Sequence, residues 1–180
     1  KINLDHTALP TIDDEVEDIL ESETADEREK ERAKSQWSAL EAIVGTDARL
    51  QVVAEDLIKH YETRSQTQPG KAMIVTMSRD ICVRLYDKIV ELRPEWHSDD
   101  HMQGAIKIVM TASASDKAYL QPHHTNKAQK KDLEKRFKNP EDPLKIVIVR
   151  DMWLTGFDAP CLATMYIDKP MQGANLAQAI

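Results

Sequence analysis

Three polar stretches of this chain carry side chains suited to holding phosphate oxygens: Ser78-Arg79-Asp80, Thr111-Ala112-Ser113-Ala114-Ser115-Asp116, and Arg150 to Asp158. Hydroxyls donate to phosphate oxygens, and so do the free backbone amides at a helix start. The third stretch holds the chain's only Thr-Gly-x-Asp turn, Thr155-Gly156-Phe157-Asp158, with Pro160 to stop a helix from following at once. Other chemistries fare worse. There is no Gly-x-x-x-x-Gly-Lys-Ser/Thr loop, no Gly-x-Gly-x-x-Gly after a strand and no Gly-x-Ser-x-Gly elbow. A self-contained P-loop hydrolase, a dinucleotide site and a hydrolase nucleophile are thereby excluded. His97-Ser98-Asp99-Asp100-His101 and His123-His124 invite a metal, but no helical periodicity or nearby cysteine completes a ligand set, so the expected reading is a polar surface loop and no metal. Cys161 follows Pro160 without a partnered base and reads as a structural thiol.

The elements that must position these turns follow from periodicity. Ala72–Met77, Ala105–Met110, Leu144–Val149 and Ala163–Ile167 are short apolar runs of the sort found in strands covered on both faces. Between them, Ile81–Leu92 has helical spacing through Ile81, Leu85, Ile89 and Leu92, and Lys127–Phe137 predicts a basic helix. A final helix opens at Asn175. Strands alternating with helices predict an α/β fold, a parallel sheet with helices on both faces. Right-handed crossovers then bring every strand-to-helix turn to one edge, where such sheets bind ligands. Ahead of the sheet, Ala33, Trp37, Leu40, Ile43 and Val44 mark one helix, and Leu50, Val53, Ala54, Leu57, Ile58 and Tyr61 a second from Asp47 to about Arg64. The resulting organisation is an acidic flexible arm over residues 1–24, a helical lead-in over 25–66 and a sheet domain over 67–180.

The chain has 180 residues, long enough to bury one substantial core, and its net charge is −7. The acidity is concentrated. Lys1 to Glu23 holds eight acids against one base, whereas Lys127 to Lys138 holds six bases against two acids. The body behind the arm is therefore mixed in charge and able to present basic surface to phosphates. No apolar run approaches the roughly 20 residues of a membrane helix. Two distant cysteines, Cys82 and Cys161, fit reduced thiols of a cytoplasmic protein. The opening Lys1 and the absence of a signal-peptide pattern suggest that both ends are cut from something larger.

Taken together, the motifs resemble a known family. Val149-Arg-Asp-Met-Trp-Leu-Thr-Gly-Phe-Asp-Ala-Pro160 is similar to motif V of superfamily 2 helicases, in the form found in the motor (R) subunit of type I restriction enzymes. Lys71-Ala-Met-Ile-Val-Thr-Met-Ser-Arg-Asp-Ile-Cys-Val83 resembles that family's motif IV, Trp37–Gly45 the helical segment before it, and Asn175-Leu-Ala-Gln-Ala-Ile180 the opening of motif VI. The resemblance covers Trp37 to the end.

It implies the second RecA-like (P-loop NTPase-type) domain of a double-stranded DNA translocase, the first RecA-like domain of the same chain carrying the phosphate-binding loop. ATP and Mg are the implied cofactors of the full subunit, and modification and specificity subunits its implied partners. By the resemblance, Gly156 and Asp158 face the nucleotide, with close backbone approach at Gly156 and hydroxyl acceptance by Asp158. Gln178 lies at the nucleotide cleft, and Ser78, Arg79, Thr111, Ser113 and Thr155 lie toward DNA phosphates. Arg150 departs from the small hydroxyl that many relatives carry. The chain stops within motif VI, before the arginines that reach the transferring phosphate, so the piece alone is expected to be inactive. The family's nuclease site belongs to another domain. The competing readings are a different superfamily 2 helicase or translocase, and an inert α/β interaction module.

Overall fold

The computed structural model describes residues 27–154 and 156–169. The acidic arm expected over 1–24, Thr155, and the helix expected to open at Asn175, with Gln178 in it, lie outside the described residues. The chain divides into two compact units, the second running from Leu50 to Lys169.

In the first unit, the described residues form helix α1 (Glu27–Val44) and the first residues of α2 (Asp47–Thr67). Gly45 N–H donates to the Glu41 carbonyl at 2.8 Å, and the Arg49 guanidinium donates to the Val44 carbonyl at 3.0 Å, so the end of α1 is closed by backbone and side chain together. Leu40 and Val44 are buried, as their four-residue spacing requires, but Ile43 is 48 % exposed. The apolar face is narrower than the sequence pattern suggests, because Ile43 sits a full 100° round the helix from Val44.

The second unit is an α/β fold built on four parallel strands: β1 (Lys71–Thr76), β2 (Ile106–Val109), β3 (Ile146–Val149) and β4 (Leu162–Asp168), in the order β2-β3-β1-β4. Each lies within a residue or two of its apolar run. Alternation along the strands divides the side chains between two faces. Met73, Val75, Val109, Val147 and Val149 share one face with Leu133 and Phe137 of α4 (Lys127–Lys138). The other face belongs to α3 (Arg79–Leu92), which packs on β1, β2 and β3, and whose Cys82 meets Thr76 at 3.0 Å. Ile81, Leu85 and Ile89 of α3 are each no more than 1 % exposed. Burying each stabilises by roughly 1.5–3 kcal/mol. On that same face His60 of α2 meets the Tyr166 hydroxyl at 2.8 Å, and Tyr61 donates to the Gly70 carbonyl at 3.1 Å.

The helix starts follow capping chemistry. Ser78 caps α3 by accepting from Ile81 N–H, and Asn126 with Gln129 forms a reciprocal capping box at α4. The basic helix differs from expectation in one residue. Arg136 is only 4 % exposed and its guanidinium donates to the carbonyls of His101 (2.7 Å), Gln103 (3.0 Å) and Gly104 (3.0 Å) while pairing with Asp142 at 3.1 Å. It belongs to the interior, where its five donors close off the loop before β2, rather than to a phosphate-facing surface. Gly104 has φ +82, and a Cβ there would lie 3.0 Å from the Trp96 carbonyl, so a side chain at this point of the loop that Arg136 holds would be both strained and crowded.

Candidate functional site

Because all four strands are parallel, the turns leaving β1, β2 and β3 arrive at one edge of the sheet. Ser78 and Arg79, Thr111 and Ser113, and Gly156 and Asp158 are carried on these three turns. Thr111, Ser113, Gly156 and Asp158 are exposed, and Ser78 and Arg79 are half-buried.

The turns are tied to one another by cations. Arg79 forms a two-pronged bond to Asp116, at 2.6 and 2.8 Å, and donates to the Thr111 carbonyl at 2.9 Å. The turn after β1 thus holds the turn after β2, although β3 lies between the two strands. Asp116 is nearly buried, its side chain 4 % exposed, and also accepts from Ser113 N–H at 2.9 Å and meets His124 Nε2 at 2.9 Å. The Arg79 fork, with the Ser113 amide behind it, holds the Asp116 carboxyl below its ordinary range. Arg150 donates from Nε to the Met77 carbonyl at 3.3 Å and pairs with Asp151 at 2.9 Å. Asp151 in turn meets Lys169, at the end of β4, at 3.3 Å.

Against this frame the sequence-derived residues take different positions. The Ser78 oxygen serves the helix cap, which leaves its hydroxyl hydrogen as a donor. The Arg79 guanidinium is engaged by Asp116 and Thr111, and its side chain is 29 % exposed. Thr111 presents its carbonyl to Arg79, and Ser113 Oγ lies 2.9 Å from Ser115 Oγ. Gly156 has φ +66, and nothing lies within 4 Å of where its Cβ would be. Its glycine is required by backbone conformation, and open space surrounds it. Asp158 has no hydrogen-bond partner among the described residues.

The Trp-Leu-Thr-Gly-Phe string shapes the third turn. Met152, Trp153, Leu154 and Phe157 pack on the core face that holds Phe137. The Trp153 and Phe157 rings are stacked, centroids 4.5 Å apart and planes within 3° of parallel. Ala159-Pro160-Cys161-Leu162 then closes through a bond from Leu162 N–H to the Ala159 carbonyl at 2.9 Å, with Pro160 at the position a β-turn favours. Cys161 donates from Sγ to the Phe137 carbonyl at 2.9 Å.

The sequence marks His124 only through its metal-like pairing with His123, and it assigns no structural role to Asp116 or to the aromatic stack. Asp116 ends the Thr111–Asp116 turn, but its partner is 37 residues away in the chain. Among the described residues, cavities lie off the turn edge as well. One of about 650 Å³ opens at the strand starts, beside Gly70, Lys71, Lys145 and Leu162. Another of about 190 Å³ is lined by Tyr86, His97, His101, Lys107, His123 and His124. Among the described residues no three His, Cys, Asp or Glu side chains gather to hold a metal ion, and no helix is long and apolar enough to cross a membrane.

Comparison with known proteins points one way. Residues 68–180 match the family model of type I restriction enzyme subunit R domain 3. The chain is 58 % identical over 140 residues, 78 % of its length, to the HindI endonuclease subunit of a type I restriction enzyme from Haemophilus influenzae. It is 42 % identical over 176 residues, 97 % of its length, to a Methanocaldococcus jannaschii protein named for a type I restriction enzyme MjaIXP endonuclease subunit. The chain spans only 13 % and 16 % of the length of these two relatives.

Proposed function

The chain belongs to the type I restriction enzyme R subunits, as a piece matching their domain 3, and from that premise we propose that it is the second RecA-like half of an ATP-driven motor on double-stranded DNA. In the whole subunit the motor is coupled to DNA cleavage. The observation that carries the reading is the convergence of Ser78–Arg79, Thr111–Ser113 and Gly156–Asp158 on one edge of a parallel sheet, the place where such folds bind ligands.

The residues present suit half of a nucleotide site. Gly156 leaves open space where a side chain would stand, and Asp158 offers an exposed carboxylate to sugar hydroxyls. ATP with Mg supplies the transferable phosphoryl group, and Mg is held by acids of the first RecA-like domain. Hydroxyls of Thr111 and Ser113 and the Ser78 hydroxyl hydrogen face the DNA backbone. Arg79 contributes to that surface chiefly by fixing the Thr111–Ser115 loop through Asp116. The modification and specificity subunits supply sequence recognition.

The test is Asp158→Ala in the full R subunit. Duplex-stimulated ATP hydrolysis and translocation should both fall by about 10²-fold or more, a typical scale for losing a positioning contact. Unchanged activity would remove the nucleotide reading of this turn. Stimulation by single strands alone would instead favour another superfamily 2 helicase.

A further inference from the structure

The turn that carries Gly156 and Asp158 is bent at two places by left-handed backbone, at Gly156 (φ 66) and at Trp153 (φ 65). At Gly156 this conformation is freely available. At Trp153 it is not: a bulky side chain rarely adopts it, and it persists only where surroundings enforce it. What enforces it here is a ladder of rings. Trp153 lies flat on Phe157 at 4.5 Å, Phe137 flanks both at 5.9 and 6.2 Å, and the Lys138 ammonium sits 4.8 Å from the Phe157 ring centre. Phe137 and Lys138 are the last two residues of α4, so the two ends of the turn are clamped together and onto a helix terminus. Trp153 and Phe157 are thereby fixed inward. Gly156 and Asp158 are exposed while Trp153, Leu154 and Phe157 pack on the core.

We propose that Trp153 is a positioning residue for the Gly156–Asp158 turn, its stack on Phe157 maintaining the left-handed bend that presents the turn at the sheet edge. The proposal rests on the nucleotide reading of that turn. The stack, rather than the Trp153 bend alone, is the active element, because the ring contact spans both ends of the turn while that bend lies at one end.

The test uses the full R subunit with four variants. Trp153→Phe keeps a ring on Phe157, Trp153→Ala removes it, and Trp153→Gly removes it while making the left-handed bend easy. Asp158→Ala reports whether the turn matters at all. Expected are a KM for ATP close to wild type in Trp153→Phe, and a KM raised about tenfold in both Trp153→Ala and Trp153→Gly, with kcat changed by less than about threefold, the pattern of a turn displaced rather than a group lost. Chymotryptic cleavage after Phe157, located by mass spectrometry, should be slow in wild type and Trp153→Phe and fast in the other two. If Trp153→Ala does not fold, Phe157→Leu removes the same stack from the other side and should raise KM equally.

A wild-type KM in Trp153→Gly, or a Trp153→Phe variant no better than Trp153→Ala, would overturn the role of the ring. So would unchanged cleavage at Phe157 in Trp153→Ala. An Asp158→Ala variant with full activity would overturn the nucleotide reading instead, and the cleavage rates would still report whether the stack holds the turn.

Discussion

Replacing Arg136 by Met tests whether this arginine is interior architecture or basic surface. Met retains the length and most of the aliphatic stem but removes every donor. The loss strands the carbonyls of His101, Gln103 and Gly104 and leaves Asp142, with a side chain 19 % exposed, without its partner. Breaking a buried ion pair from one side costs about 3–5 kcal/mol. The loop carbonyls and the Asp142 carboxylate lie near enough to the surface for water to replace part of what is lost, which brings the expectation to the lower end, about 3 kcal/mol. Against a domain stability of about 5–15 kcal/mol this is a large fraction. In urea, with a slope of about 1–3 kcal/mol per molar, the unfolding midpoint should fall by about 1–3 M. Arg136→Lys keeps the charge but not the planar fork, and should lose roughly half as much. Adding Asp142→Asn to Arg136→Met should recover part of the loss, since the stranded charge is then gone. A midpoint lowered by less than about 0.3 M in Arg136→Met would refute the assignment and return Arg136 to the surface.

Two further outcomes are expected. Burial, then the nearby His97, Lys107 and His124 side chains, push the His123 pKa down from 6.5 to about 4; between those values the unfolded chain binds the proton and the folded one does not, so stability is full above the upper value and falls as pH drops toward the lower. His123→Phe, which keeps a ring against Tyr86, should flatten the decline in melting temperature between pH 7 and pH 5, and an unchanged decline would place its source elsewhere. Asp116→Ala should free Arg79 and loosen the Thr111–Ser115 loop, raising the DNA concentration needed for half-maximal ATPase by about tenfold, on the scale of a displaced binding group, while Arg79→Ala and the double variant do no worse. Additive losses would argue that the two residues act separately.

The sheet was legible because its strands are continuous apolar runs and its connections contain periodic helices; Ala72–Met77 and Leu144–Val149 carry few other interpretations. That the turns meet at one edge followed from parallel pairing alone. Strand order did not, since nothing local in Leu162–Asp168 tells it to lie beside β1. At the site, residue types were readable and pairings were not. Arg79 and Asp116 are 37 positions apart, and the surface on which Trp153 and Phe157 stack is Phe137, supplied by another element. Arg136 was counted with its lysine neighbours because a run of charge carries no mark of which member turns inward.

The place of β1 in the sheet bears on how the chain is made. Its neighbours are β3 and β4, whose last residues are Val149 and Asp168, so this fully buried strand is synthesised long before anything that can cover its edges. At translation rates of about 5–20 residues per second, Met73-Ile74-Val75 waits roughly 5–20 s for its second partner. During that interval the nascent chain exposes an unpaired apolar edge, since α2 before it and α3 after it cover a face of β1 and not its edges. A ribosome that stalls between Leu92 and Leu144 therefore holds an aggregation-prone chain, which makes this stretch of the message a point where chaperone capture decides yield.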